Sequence, residues 1–201
     1  MRLTPRDRHE ERPVTAVTSP PGTGEVSSEV VRSARAGDTA AFTAVVRHYH
    51  PRLRALASRL LWERSAVDDV LQDAYIRAFV ALADFREDAA LGTWLYQITY
   101  RACVDYHRRE NRYRRVNRWR EPAGAGRGAD PAEAATARSD LARALMALPL
   151  DQRAAVLLVD AEGLDYQTAA SILSVPPKTL SSRISRARSA LRATLTEGES
   201  R

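Results

Sequence analysis

Between residues 66 and 83, apolar side chains return at the period of an α-helix. Val67, Val70, Leu71, Ala74 and Ala78 fall in one narrow stripe when successive residues are turned by 100°. Elsewhere in the chain no stretch shows the alternation of β-branched and polar residues that marks a strand. Helices with a single apolar stripe can bury it only against other helices, so the chain is expected to be all-α.

The punctuation divides the helices further. One is expected from Ser28 to the "AGD" at 36–38, and a second starts with Asp38 as N-cap before "TAAFTAVVRHY". Pro51 is expected to interrupt or kink that second helix, with "RLRALASRLL" resuming it. Another runs from about Thr93 to Arg115. The segment "EPAGAGRGADPAEAA", residues 121–135, has the composition of a flexible linker and marks a domain boundary. Beyond it come a helix ending at Pro149, one across "DQRAAVLLVDAE" closed by Gly163, and two short helices separated by "SVPP". Residues 1–27, rich in Pro, Gly, Ser, Thr and charge, read as a disordered leader. The expected layout is therefore a leader at 1–27, a helical domain at 28–115, a linker at 116–137, a second small helical domain at 138–195 and a tail at 196–201.

Several functions are disfavoured on composition. The first twenty residues are charged and lack an apolar core, unlike a signal peptide, and the longest apolar run, Ala154 to Val159, is far too short to span a bilayer. A soluble, cytoplasmic protein is expected, with no membrane insertion. The single cysteine, Cys103, has no partner for a disulfide or a thiolate zinc site and reads as a small core residue. His48 and His50 stand two apart and so on different helical faces, His9 lies in the leader and His107 among arginines, which makes a metal site improbable. There is no nucleophile-and-base set, no glycine-rich phosphate loop and no pair of carboxylates in a candidate cleft, so neither catalysis nor a cofactor is expected.

Charge is more informative. The formal net charge is +6, yet residues 101–120 alone hold eight arginines against Asp105 and Glu110, and residues 178–192 hold Lys178, Arg183, Arg186, Arg188 and Arg192 with no acid. The remainder of the chain is net negative. Two basic patches on a mildly acidic body suit a polyanion touched in two places. In "KTLSSRISRARSALR", residues 178–192, Leu180, Ile184, Ala187 and Leu191 form a buried stripe, Lys178, Ser182, Ser185, Arg186 and Ser189 face away, and Arg183 and Arg188 flank them. Small hydroxyls let a helix lie close to a groove from which long cations reach phosphates or guanine edges. The preceding "DYQTAASIL" ends about three residues earlier, the spacing of a helix-turn-helix whose second helix enters the major groove by its N-terminal end, and Pro177 suits that helix's first turn. A solvated basic face on a helical bundle would explain the charge alone; the short turn and the lack of acid favour DNA.

These residues carry a resemblance. "LPLDQRAAVLLVDAEGLDYQTAASILSVPPKTLSSRISRARSALR" resembles region 4 of bacterial sigma factors of the extracytoplasmic-function (ECF) group, and "AVDDVLQDAYIRAFVALADFREDAALGTWLYQITYRACVDYHRRENR" resembles their region 2. The resemblance covers roughly residues 28–115 and 138–195, in the family's order, with no region 3 domain between them. It implies a protein that binds core RNA polymerase, directs it to a promoter, helps melt the downstream element and is held inactive by an anti-sigma factor. The chain departs from the family pattern at Thr168, where an acidic residue is common, and at Ser174, where the turn commonly carries glycine, which is expected to blur the capping there. Tyr100 and Arg101 replace a frequent Arg-Asn pair, so readout of the downstream element is expected to differ.

The resemblance assigns jobs to faces. Asp69, Gln72, Asp73, Ile76 and Val80 form the outward side of the 66–83 helix, a rim of charge around exposed aliphatics, and in the family this segment docks on the polymerase clamp. Periodicity alone favours reading the same face as an acidic solvated helix with Ile76 and Val80 packed under a neighbour; the resemblance reverses that preference. By resemblance, "DFREDAALGTW", residues 84–94, includes the loop that holds a flipped base, although Trp94 itself reads as core. Arg101, Arg108 and Arg109 are the expected contacts to promoter DNA in the first domain, with Arg112 following them. Lys178, Thr179, Ser182, Arg183 and Arg186 are those of the second domain, at the upstream, minus-35 element. Arg188 and Arg192, farther along, are expected to meet phosphate only. Two alternatives stay open at this point: an autonomous helix-turn-helix regulator that needs no polymerase, and a helical module whose basic faces meet acidic proteins.

Overall fold

The computed structural model describes residues 26–61, 63–85, 90–117 and 140–199, all of them helix, turn or short connection. The expected leader, apart from its last two residues, and the Gly-Pro-Ala linker at 121–135 lie outside the described residues.

The first domain is built of four helices. Helix α1, Ser28–Arg35, begins where the Ser27 hydroxyl accepts the Val30 amide at 3.4 Å. After a turn through Gly37, whose φ of 94° suits a residue without a side chain, Asp38 caps α2, Thr39–Leu60, by accepting the Ala40 and Ala41 amides at 2.8 and 3.2 Å. The expected break at Pro51 does not occur: α2 runs through it for 22 residues. Proline costs the helix one amide donor, but Leu53, Leu56, Ala57 and Leu60 are all buried along one face, and that packing holds the helix together while Pro51 points to solvent. Helix α3, Ser65–Ala81, buries the five-residue stripe read from its periodicity, then tightens into a 3₁₀ turn at Leu82–Asp84. Helix α4, Leu91–Asn117, starts and ends two residues outside the expected span. It carries buried Leu95, Tyr96, Ala102 and Cys103, while half-buried Trp94 packs on Phe85 with ring centroids 5.1 Å apart.

The second domain contains α5, Asp140–Ala147, and α6, Leu150–Val156, which widens into a π-helical turn at Leu157–Ala161 before Gly163 ends it with a φ of 69°. Helix α7, Tyr166–Leu173, follows, and then α8, Pro177–Glu199, whose 23 residues correct the expectation of a second short helix. Leu180, Ile184 and Ala187 are buried and Leu191 is half-buried, as the α8 stripe requires.

The two domains are packed against each other. Helix α4 lies on α7, and α2 touches α5 and α6, so that one core runs from Val31 through Tyr96 to Leu158 and Ile184. No described helix is long and apolar enough to cross a membrane.

Candidate nucleic-acid and protein interfaces

The helix-turn-helix is set by two local devices. At the start of α7, Asp165 accepts the Thr168 amide at 2.9 Å and the Thr168 hydroxyl at 2.7 Å. Thr168 thus completes the N-cap, and the expected blurring at this position is not found. At the other end, Ser174 adopts the left-handed conformation (φ 54°, ψ 45°) that glycine usually supplies. Val175 N–H donates to Ala170 O and Ser174 N–H to Ser171 O, both at 3.0 Å, which closes α7 in a Schellman motif despite the serine. Pro177 is the first residue of α8, where its missing amide costs nothing.

On α8 the predicted DNA-reading residues separate into two kinds. Lys178 and Arg186 are exposed, beside exposed Ser185 and Ser189. Arg183 is 22% exposed in its side chain, and its Nε lies 3.1 Å from Asp151 at the start of α6. Thr179 is half-buried, and the Ser182 hydroxyl turns back to donate to Thr179 O at 2.9 Å. Arg188 forms a two-toothed pair with Asp160, at 2.6 and 3.0 Å. The flanking arginines are therefore stitched to α6 and its wide turn, which fixes the helix on the domain; Lys178 and Arg186 have no carboxylate partner among the described residues, and Arg186 only reaches the Ser182 hydroxyl at 3.5 Å.

A second basic surface runs along α4. At 100° per residue, Gln97, Arg101, Arg108, Arg112 and Arg115 share one stripe, and the arginines in it are exposed; Arg109 is exposed to one side. Asp105 interrupts the stripe, but Arg77 pairs with it at 2.7 Å. Arg114 is paired with Glu110 at 2.8 Å, which lifts its already high pKa, first through the hydrogen bond. Arg101 differs from the arginines that follow it. Its Nη2 lies 3.3 Å from the Ser174 hydroxyl, so this predicted DNA contact sits against the turn of the helix-turn-helix, and Tyr100 beside it is half-buried.

The outward face of α3 is as read from periodicity: Asp69 and Gln72 are exposed, and Ile76 and Val80 are 57% and 73% exposed. Asp73 is half-buried and pairs with Arg77 at 2.7 Å, and Asp68 pairs with Arg54, leaving Asp69 without an ion pair among the described residues. Beside this face lies an apolar groove of about 460 Å³, walled by Phe42 of α2 and by Leu71, Tyr75, Ile76, Phe79 and Val80 of α3. Phe42 and Phe79 meet edge to face, with centroids 5.0 Å apart. Phe79 was legible in the sequence, three residues after Ile76 on the same face; the wall from α2 was not, because no periodicity says which helix comes alongside. Burial pushes the Tyr75 hydroxyl up to about 12, so it stays protonated, and it pairs with His50 Nδ1 at 2.9 Å.

The sequence also gave no sign of the groups that hold the two domains together. Arg153, 5% exposed, donates to Leu60 O at 2.8 Å across the boundary and to Met146 O and Leu148 O at 2.8 and 2.9 Å within its own domain. Tyr96 donates to Glu162 at 2.7 Å, and Arg59 approaches the other oxygen of that carboxylate at 3.3 Å. Burial, and then the bond to Glu162, push the Tyr96 hydroxyl far above the usual phenol range.

Comparison with known proteins places these two domains in one class, the transcription-initiation factors of the sigma-70 type. Residues 45–113 match the Sigma-70 region 2 family and residues 138–191 the Sigma-70 region 4 family. The ECF RNA polymerase sigma factor SigM of Mycobacterium tuberculosis is 36% identical over 169 residues, 82% of each chain. The ECF RNA polymerase sigma-E factor of Escherichia coli is 32% identical over 181 residues, 81% of this chain and 90% of that one. Among solved structures, RpoE of Bartonella quintana in complex with the anti-sigma factor NepR superposes with a TM-score of 0.63 at 28% identity, covering 77% of this chain and 96% of that one. CnrH in complex with the cytosolic domain of CnrY gives 0.62 at 28%, covering 84% and 96%. The chain belongs to the ECF sigma factors: it is an alternative sigma factor that directs transcription initiation.

Proposed function

We propose that the chain divides the work of initiation between its domains. Residues 28–115 dock on core RNA polymerase through Asp69, Gln72, Asp73, Ile76 and Val80 of α3 and meet the downstream promoter element through Arg101, Arg108 and Arg109 of α4. Residues 138–195 read the upstream element through the N-terminal half of α8, with Lys178 and Arg186 reaching the DNA and Thr179, Ser182 and Arg183 shaping the contact.

The observation that carries this reading is the exposure of Lys178 and Arg186 in the N-terminal half of a helix whose flanking arginines, Arg183 and Arg188, are held by Asp151 and Asp160. A merely solvated basic helix has no need to secure its flanks while Lys178 and Arg186 stay clear of any carboxylate among the described residues, in the half of the helix by which this motif enters the major groove. On α3 the groove beside Ile76 and Val80 offers an apolar seat with Asp69 at its rim, the composition of a protein-docking surface. The protein acts by binding rather than catalysis, in the cytoplasm, where polymerase and DNA are found. Its inhibitory partner is an anti-sigma factor, as in the Bartonella complex.

Transcription in vitro with purified core polymerase on a library of genomic fragments tests the assignment. The chain should produce transcripts that share two sequence elements upstream of their starts. Core-independent binding to one operator, with no promoter-specific transcripts, would overturn it.

A further inference from the structure

Two features of the first domain are left uncovered by the rest of the described residues. The last two turns of α4 stand clear of the helices beside them, for every residue from Asn111 to Val116 is exposed. Tyr113 is 59% exposed and Val116 64%, three positions apart and so on one side of the helix. At 100° per residue Arg109 falls between them and Arg112 just beyond Val116, neither in an ion pair among the described residues. Helical turns that bury nothing are marginal in water, and large apolar side chains on such turns mark a contact surface. The second feature is the groove of about 460 Å³ between α2 and α3, where Phe42, Ile76, Phe79 and Val80 supply apolar wall and Asp69 stands on the Ile76 stripe with no ion pair among the described residues.

The two features are complementary. One is a basic helix end with an apolar knob, and the other is an apolar groove with a carboxylate at its edge, the match by which an amphipathic helix seats in a groove. They cannot meet within one molecule. Helix α4 lies along the flank of α3 that carries Arg77, where Arg77 pairs with Asp105, whereas the groove lies on the opposite flank, between α3 and α2. Buried Tyr96, Ala102 and Cys103 anchor α4 as a single helix, so its end cannot swing across. We propose that the α2–α3 groove receives the end of α4 from a second copy of this chain, with Tyr113 and Val116 seated on Phe79 and Val80 and with Arg109 and Arg112 reaching Asp69, and that the exchange is made twice in a twofold dimer. A single exchange would leave one knob and one groove free to add copies without end, whereas a reciprocal pair closes. Contacts confined to a helix end and a groove belong to the small class, so the dimer is transient. Its consequence is competition, because the occupied groove lies beside the residues assigned to polymerase docking. That consequence rests on the docking assignment of α3; the pairing of the two copies does not.

Sedimentation velocity on the full chain tests the pairing. As concentration rises, monomer should pass to dimer, and added salt should move the transition to higher concentration. Val80→Glu places a carboxylate in the groove, and Tyr113→Ser removes the knob. Each should weaken self-association at least about tenfold. Both side chains are exposed, so far-UV circular dichroism should show unchanged helical content. The mixture of these two variants is decisive. A chain with a broken groove and a chain with a broken knob can still make one intact contact, so the equimolar mixture should associate more tightly than either variant alone. A wild-type chain that stays monomeric at every concentration, growth beyond the dimer, or a mixture no tighter than its components would overturn the proposal. Core polymerase added in equal amount should convert the dimer into a complex with one sigma factor. A polymerase that binds the dimer intact, with the mixture behaving as expected, would keep the pairing and refute the docking assignment of α3, so the two failures are distinguishable.

Discussion

Arg153→Met removes a cation that binds carbonyls of both domains while keeping a side chain of similar reach. The guanidinium donates to Leu60 O, Met146 O and Leu148 O at 2.8, 2.8 and 2.9 Å, and burial lowers its pKa, a sign of what desolvation costs it. Leu60 O retains a donor in the variant, because His107 Nε2 lies 3.1 Å away. Met146 O and Leu148 O keep none that the structure offers, and each orphaned carbonyl costs about 1–3 kcal/mol. Releasing the cation from a buried site returns part of that loss. The net destabilisation should be about 2–4 kcal/mol. Arg153→Lys should cost less, about 1–2 kcal/mol, since one ammonium cannot serve carbonyls at the ends of two different helices as the planar fork does. Urea unfolding of the full chain followed by far-UV circular dichroism gives the comparison. A change below about 0.5 kcal/mol for Arg153→Met, the scale of an ordinary surface substitution, would refute the view that Arg153 ties α2 to the α5–α6 connection.

Other outcomes follow from the same geometry. Asp69→Arg with Asp73→Arg should leave the helical content unchanged, since both lie opposite the buried stripe and the Arg77 pair lost is worth only a few tenths of a kcal/mol; affinity for core polymerase in a fluorescence titration should fall about tenfold or more. Ser174→Gly should raise the unfolding free energy by about 1 kcal/mol, because φ 54° is strained for any residue with a Cβ; a drop would show that the hydroxyl bonds to Gln97 and Arg101 outweigh that relief. Arg186→Ala should cost about 1–3 kcal/mol on DNA and relax preference at one or two adjacent base pairs of a library randomised in the upstream element. Arg188→Ala, whose side chain is committed to Asp160, should weaken binding uniformly and leave base preference alone. Unchanged preference in Lys178→Ala, Arg183→Ala and Arg186→Ala alike would mean that α8 does not read the promoter.

Much of this molecule is written locally. A stripe such as Val67, Val70, Leu71, Ala74 and Ala78 depends only on residue spacing, and all five are buried. The caps at Asp38 and Asp165 are bonds to amides two or three residues away, so the side chain and its partner lie within one turn. The outward set on α3 and the cations of α8 follow from the same arithmetic. Where local rules failed, a longer-range force had outweighed them. Pro51 does not break α2 because the helix is held by buried Val45 and Tyr49 before it and by buried Leu53, Leu56 and Leu60 after it, and Ser174 takes a glycine conformation because two hydrogen bonds and the burial of Leu173 and the half-burial of Val175 close the turn. What no spacing could convey is which surfaces meet. Phe42 beside Phe79, Tyr96 on Glu162, Arg153 on Leu60 O and Arg101 on Ser174 join residues between 37 and 93 positions apart. Each such contact exists only after the helices have packed, when loop closure has been offset by the shared core. The sequence therefore determined the helices and the character of their faces, and the tertiary structure decided that two of those faces are turned toward each other.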